Sequence, residues 1–432
     1  MLDQLIQSGN FHPVLWLITI VGYLMPFPLA YLAYTLWHHY RNEHFIAGIK
    51  WALLEIQVPR DVIKSPAAME LIFSNAFYHK SQKGFWEMFI QGAPWMWFSL
   101  EIASIDGHVH FFIRTPTRMR GLVETQIYAQ YPQAKVVEVD DYVFHVPEYT
   151  KHGNWYAWGA EWKKELHDAR PIKTYRDMEE MDSGTKEEFK IDPITPVIEY
   201  LGSLAKGEQV WMQILVRQSI KQYHSHGPHK HVGFYEAAQE HIDEILKPYT
   251  KVGKGSGLGG GDSLETRAPA FLDPIIKKIV RNLEQIHFDT GIRVVALANK
   301  EYRTEDQFNN LRRNVRLLFR QYAAPSLNEL SRFNATQFDS PWADPTGLSL
   351  AKWKRRTIDF YRLRVMFHPP LQYSIKYHPL IASFFPSGRP EIFVMSAEEL
   401  ATIFHFPGMV SETPTFKRIE SKIAKPPSNL PS

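Results

Sequence analysis

Between Val14 and Trp37 the chain reads VLWLITIVGYLMPFPLAYLAYTLW, without one charged side chain. A bilayer core roughly 30 Å thick is crossed by about 20 apolar residues in helical form. Within lipid, only a helix or a closed barrel satisfies every backbone donor and acceptor. The run therefore predicts a single transmembrane helix over residues 14–37, with a short N-terminus, 1–13, ahead of it and a juxtamembrane segment, 38–50, behind. Pro26 and Pro28 predict a kink, and Trp16 at one end, with Trp37 and Tyr40 at the other, suits aromatic belts at the two interfaces. A cleaved secretory signal begins with positive charge and ends in small residues. Here Asp3 is the charge ahead of the run, and Leu36, Trp37 and His38 close it. Arg41 and Lys50 lie behind the helix and nothing basic lies ahead. The positive-inside rule then predicts a single-pass protein of the cell membrane, N-terminus outside and C-terminal body in the cytoplasm.

The rest of this 432-residue chain alternates apolar and charged residues as a globular body does. At about 150 residues per domain it has room for two or three. A net charge of +3 asks for no polyanion partner. The absence of cysteine excludes disulfides and thiolate metal sites and suits a cytoplasmic body.

Hydrophobic periodicity predicts an α+β body made of two ferredoxin-like (βαββαβ) units. The first covers 51–147. WALLEIQVP alternates through Ala52, Leu54, Ile56 and Val58, which reads as a half-buried strand. Ser65 and Pro66 open a helix carrying Met69, Ile72, Phe73, Ala76 and Phe77. Met96–Ile105 and a strand through Val109, Phe111 and Ile113 flank Asp106-Gly107, a strong hairpin turn. A helix over Thr117–Tyr131 and a strand over Lys135–Val143 complete the order. The second unit covers 170–335, with a strand expected at Ile172–Met178, a helix after Asp192 and Pro193, and a strand at Gln209–Arg217. An insert of about 218–273 follows, then a helix from Pro274, a strand at Gly291–Lys300, a helix capped by Thr304 with Gln307, and a strand at Leu327–Phe333. Residues 336–432 read as a C-terminal extension, with Ser396 and Glu399 as a second capping box and a Pro-rich tail.

Three stretches could carry chemistry. Gly255–Gly260 spells G-x-G-x-x-G, but a pyrophosphate site needs a strand before it and a helix N-terminus after it. Here it reads as a linker, and no Walker A motif occurs in the chain. His224, His226, His229 and His231, with His241 nearby, have a density that can hold zinc, copper or nickel. Gly227 and Pro228 among them read instead as an exposed loop, so no metal and no cofactor is expected. Lys352, Lys354, Arg355, Arg356, Arg362 and Arg364, and separately Arg312, Arg313, Arg316 and Arg320, fall at helical spacing. They suit a solvated face or a surface for a partner, nucleic acid or anionic lipid. No nucleophile triad or carboxylate pair stands out, so the chain reads as a non-enzyme.

WALLEIQVPRDVIKSPAAMELIF, FSLEIASIDGHVHFFIRTP, GLVETQIYAQYPQAKVVEVDDY and EELATIFHFP, with the final KPPSNLP, together resemble a known group. It is the N-terminal membrane-anchored region of type IV secretion-like, conjugative DNA-transfer proteins of candidate-phyla bacteria. The His- and Gly-rich insert lies outside the resemblance. In such proteins the PPSNLP-like stretch leads into a RecA-type ATPase, whereas here it runs to Ser432. The resemblance implies a non-catalytic membrane subunit that positions a separate ATPase, with nucleic acid as an indirect partner and a homo-oligomer as one form of assembly. It brings no catalytic residue. Removal of 396–432 is expected to leave the body folded. A membrane-anchored metalloenzyme built on the His cluster, and a scaffold unrelated to DNA transfer, are the competing readings.

Overall fold

The computed structural model describes residues 13–59, 64–78, 83–181, 192–225, 231–253, 263–266, 269–338, 342, 344–370 and 391–407. They fall into two compact units, one formed by the described parts of Met1–Ile49, Ser81–Pro94 and His368–Ser387, the other by those of Lys50–Lys80, Trp95–Phe367 and Gly388–Ser432.

In the first unit, helices α1 (Pro13–Leu24) and α2 (Pro26–Ala47) are separated only by a turn at Met25. Pro26, at the first position of α2, has no N–H to donate back to the helix before it. The helical bonding runs through the turn, with Met25 donating to Val21 O at 2.8 Å and Leu29 to Met25 O at 3.2 Å. The predicted juxtamembrane segment is thus not a separate element, since the same helix continues to Ala47. Thr19–Ala47 is long and apolar enough to be a membrane anchor or a signal sequence, and none of its most apolar stretch is buried.

The second unit is organised by one antiparallel sheet of nine strands. In chain order, β1 (Trp51–Gln57) is followed by α3 (Ala67–Ile72), then β2 (Phe98–Ile105), β3 (His108–Pro116), α4 (Arg120–Gln130) and β4 (Lys135–Glu138). The predicted Asp-Gly hairpin joins β2 to β3, with φ of 53° at Asp106 and 82° at Gly107. The order then repeats. β5 (Trp155–Lys164) is followed by α5 (Tyr175–Met181), α6 (Thr195–Gly202) and β6 (Glu208–Gln218). The insert comes next, with hairpin strands β7 (Tyr223–His224) and β8 (His231–Val232), helix α7 (Phe234–Leu246), hairpin strands β9 (Thr250–Gly253) and β10 (Ser263–Thr266), and helix α8 (Asp273–Leu283). After it come β11 (His287–Asn299), α9 (Glu305–Val315) and β12 (Leu330–Phe333). Helix α10 (Leu348–Arg362), strand β13 (Phe393–Ser396) and helix α11 (Ala397–Ile403) complete the described chain.

Across the sheet the strands run β12-β5-β11-β6-β2-β3-β1-β4. Numbered within its own repeat, each half has the order fourth-first-third-second. The halves are not separate sheets, because β2 pairs with β6 from Phe98–Val216 to Ile105–Gln209. One face of the joined sheet packs on α3, α4, α6, α9 and α11 through Ile72, Ile127, Ile198, Leu311 and Leu400, and the other on α10 through Ile358 and Tyr361. Two glycines let the chain after and within α10 approach closely: a Cβ on Gly159 would lie 2.6 Å from Thr357 Cγ2, and one on Gly291 2.5 Å from Met366 Cγ.

Several expectations need correction. The second repeat begins at β5, not at residue 170. Ile172–Met178 is not a strand, because the Thr174 N–H donates to Asp177 Oδ2 at 3.1 Å and the chain turns into α5. The insert extends to α8, which packs with α7 around Ala169, Ala238, Leu272, Ile275 and Ile279 in a cluster apart from the main core. The C-terminal region is no appendage either. β13 adds to β11 from His287–Ser396 to Thr290–Phe393, and every residue of α11 is buried. Both predicted capping boxes are present, at Thr304–Gln307 and Ser396–Glu399.

Candidate functional site

The structure brings His224 and His231 opposite each other on the β7–β8 hairpin, with ring centroids 4.6 Å apart. His226 and His229 lie outside the described residues. His241 does not join the pair. It stacks on His167 at 4.5 Å and accepts from Arg170 Nε at 3.0 Å. Among the described residues no group of three or more His, Cys, Asp or Glu is placed to hold a metal ion. Gly255–Gly260 also lies outside the described residues. The described strand beyond it, β10, pairs back on β9.

The basic residues of α10 do not form one free face. Arg355 pairs with Glu148 at 2.7 Å and reaches Asp359 at 3.7 Å. Lys354 Nζ sits 5.9 Å from the Tyr149 ring centroid, and Arg356 lies 6.0 Å from that of Phe360. Lys352 is exposed. The second basic group comes closer to the first than the sequence suggests. Lys354 is held below the ordinary lysine range by burial first, then by Arg312 and Lys300. Arg312 is lowered by burial, then by Arg313 and Arg332. Only Glu305 opposes these like charges in both cases.

The densest polar arrangement was not expected from the sequence. It is a row running straight across the sheet, because residues opposed on neighbouring strands share a face. Glu55 opposes Phe112, which opposes Glu101. Glu101 opposes Gln213, Gln213 opposes Arg293, and Arg293 opposes Glu161. The row thus passes through the β2–β6 junction and links both repeats.

The chain around α10 closes over this row. Arg364 grips Glu101 with two bonds, Nε to Oε1 at 2.9 Å and Nη2 to Oε2 at 3.1 Å. Arg364 Nη2 also reaches Asp141 at 2.9 Å. Ser99 donates to Glu101 at 2.5 Å and Gln213 at 3.2 Å. Tyr142 donates to Glu101 at 2.8 Å, so its oxygen is left to accept from Tyr361, 2.7 Å away. Arg293 donates to Glu161 at 2.6 Å, and Asn334 donates to the other oxygen of that carboxylate at 3.0 Å. Burial alone would raise the Glu101 carboxyl, but Arg364 and the hydroxyls hold it below the ordinary carboxylate range. Tyr142 and Tyr361 are pushed well up, by burial first and the Glu101 charge second. Arg114 is pushed down to about 10, by burial first and Arg364 second.

Both Glu101 oxygens are thus engaged by fixed donors, and Arg364 is spread over two carboxylates. Such a row can lock α10 to the sheet, while proton transfer would require breaking several charge-assisted bonds together. On the opposite face, a groove of about 360 Å³ is lined by Pro196, Val197, Tyr200, Asn314, Leu317, Leu318 and Gln321. Of these lining residues only Tyr200 titrates. Among known proteins, no family model matches this chain and no curated protein does.

Proposed function

We propose that the chain is a membrane-anchored, non-catalytic subunit of a type IV secretion or conjugation-like machine, holding a separately encoded RecA-type ATPase at the bilayer. The observation that carries the reading is the exposed apolar helix Thr19–Ala47, in one chain with a body whose densest polar cluster faces inward. The sequence segments that resemble the N-terminal region of conjugative proteins suggest the machine. The repeated strand order supports a body of two ferredoxin-like units fused at one edge of each. Arg41 and Lys50 behind the helix support an N-terminus outside and a cytoplasmic body.

The tail is the contact assigned to the ATPase, and the test must spare the core. Deletion of residues 408–432 leaves β13 and α11 in place. The shortened chain is expected to fold and to lose co-purification of the ATPase encoded beside it. Charge reversal at Lys352, Arg355 and Arg356 tests the basic face. Capture that survives truncation but not charge reversal would move the contact to α10. If no ATPase accompanies the full chain, an independent membrane scaffold replaces this reading.

The cross-strand pairing of His224 and His231 favours one competing reading, a membrane-anchored metalloenzyme. Elemental analysis of the dialysed full chain separates the two. About one zinc per chain, lost on replacing His224, His226, His229 and His231, would establish the metal site.

A further inference from the structure

We propose that the segment Lys83–Pro94 is a second membrane contact, a short interfacial element seated in the headgroup–acyl boundary at the Ala47 end of the apolar helix. This rests on the anchoring reading above and adds to it the depth at which the protein sits.

The segment is pinned to α2 by three side chains on one helical face. His38 Nε2 donates to Met88 O at 3.0 Å, Arg41 Nε to Ile90 O at 3.4 Å, and Asn42 Nδ2 to Gly92 O at 2.9 Å. Residues three and four apart on a helix share a face, so His38, Arg41 and Asn42 together hold the carbonyls of Met88, Ile90 and Gly92, in and just after the helical turn Trp86–Ile90. Gly92 makes the fit, since it has φ of +68° and a Cβ there would lie 2.7 Å from Asn42 N. Asn42 is the one α2 residue that is buried. Lys83 Nζ donates to Ala93 O at 2.9 Å and also to Pro94 O, which closes the segment on itself.

This clamp fixes where the segment lies along the helix. At about 1.5 Å per residue, Thr19 to Trp37 spans roughly 27 Å, close to the thickness of a hydrocarbon core. His38, Arg41 and Asn42 form the next turn, and Trp37 and Tyr40 beside them are 40% and 55% exposed, as belt residues are. At that level the segment presents Phe85 at 73% exposure, Trp86 at 63% and Phe89 at 38%. The Phe85 and Phe89 ring centroids lie 4.7 Å apart, tilted against each other. Three large aromatic side chains turned outward in one short turn are costly in water, and the interface of the bilayer that the neighbouring helix crosses removes that cost.

The chain has no cysteine, so a single one can be introduced and labelled without competition. The full-length variants Leu29→Cys, Phe85→Cys and Tyr302→Cys, each carrying an environment-sensitive fluorophore, are reconstituted in phosphatidylcholine vesicles. Nitroxide quenchers are placed on the headgroup or at mid-chain. The expected result is strong mid-chain quenching at position 29, blue-shifted emission with strongest headgroup quenching at position 85, and neither at 302. Adding Trp86→Ser and Phe89→Ser should reduce the quenching at 85 several-fold. Water-like emission at 85 while 29 is quenched overturns the interfacial element and leaves the anchor standing. Quenching at 85 that the serine pair leaves unchanged overturns the interfacial element as well. Absence of quenching at 29 overturns the anchor and this proposal together.

Discussion

Loss of the Arg364 guanidinium would leave the buried Glu101 and its neighbour Asp141 without their ion-pair partner. Removing one member of a buried ion pair costs about 3–5 kcal/mol, whereas replacing both by packed apolar side chains is often near neutral. Arg364→Met is therefore expected to destabilise the protein by about 3–5 kcal/mol in denaturant melts, and Glu101→Leu with Arg364→Met by distinctly less. Equal losses in the single and double variants would show that the row does not act through charge. The backbone adds a second cost at this residue, since Arg364 has φ of 52°, a region that side chains other than glycine rarely adopt.

Three histidines give the protein a direction of pH sensitivity. His167 and His287 are pushed down from 6.5 to about 4, by burial first, and His241 is lowered by burial and then by Arg170. His287 Nε2 donates to Asn282 O at 2.9 Å, a bond that opposes the shift but does not outweigh burial. Between about 4 and 6.5 the unfolded chain binds more protons at these sites than the folded one. Stability is thus fully present above 6.5 and falls as pH drops through that window. Thermal melts at about pH 7.5 and about pH 5.0 should show the loss, and His167→Gln with His287→Gln should flatten it. An unchanged slope would mean that other groups set the acid limit.

At the scale of elements, helix α11 and strand β13 carry weight that their position near the end of the described chain conceals. Lys164 and Glu399 meet at 2.8 Å with both side chains fully buried. Glu399 also accepts from Ile172 N at 2.9 Å, and Leu400 is 0% exposed. Leu400→Ala is expected to cost about 2–5 kcal/mol, as for a deeply buried leucine. Ser396→Ala should cost about 1 kcal/mol through loss of the cap. The close seat of α10 is testable in the same way. Gly159→Ala should destabilise by about 1–3 kcal/mol by overpacking against Thr357, and Thr357→Ser beside it should recover much of that loss. If Gly159→Ala is silent, α10 does not seat as tightly as the 2.6 Å approach implies.

The elements divide by how local their signals are. The apolar helix, the Asp106-Gly107 turn and both capping boxes were legible because each signal lies within a few residues. β5 was missed because WYAWGAEWKK carries Gly159, Glu161 and two lysines, which break the alternation of a half-buried strand. Its neighbours on both sides and the cover on both faces supply what the pattern lacks. The polar row was illegible for a related reason. Glu101, Gln213, Arg293 and Glu161 each look like the solvent-facing residue of an alternating strand, and only the register aligns them. The β2–β6 junction has no side-chain signature, because edge pairing is made by backbone groups.

At the scale of the whole molecule, joining two half-sheets turns two exposed edges into one interior pair. The strands left with one open side, β4, β12 and β13, are four residues each. Short edges offer little template for pairing with a second chain. Removal of residues 13–47 should move the protein from the membrane to the soluble fraction on carbonate extraction. Retention in the membrane pellet would point to another attachment, for which Phe85, Trp86 and Phe89 are the residues to replace next.

The pairing of β13 with β11 also sets a clock on synthesis. Thr290 and its partner Phe393 are separated by roughly 100 residues of chain. At about 5–20 residues per second, one emerges from the ribosome on the order of 5–20 s before the other. Throughout that interval Lys164 has been made and Glu399 has not, so the nascent body carries an amine without its carboxylate where its core will close. Rare codons between positions 300 and 390 would lengthen that interval and are expected to lower yield more than those placed elsewhere.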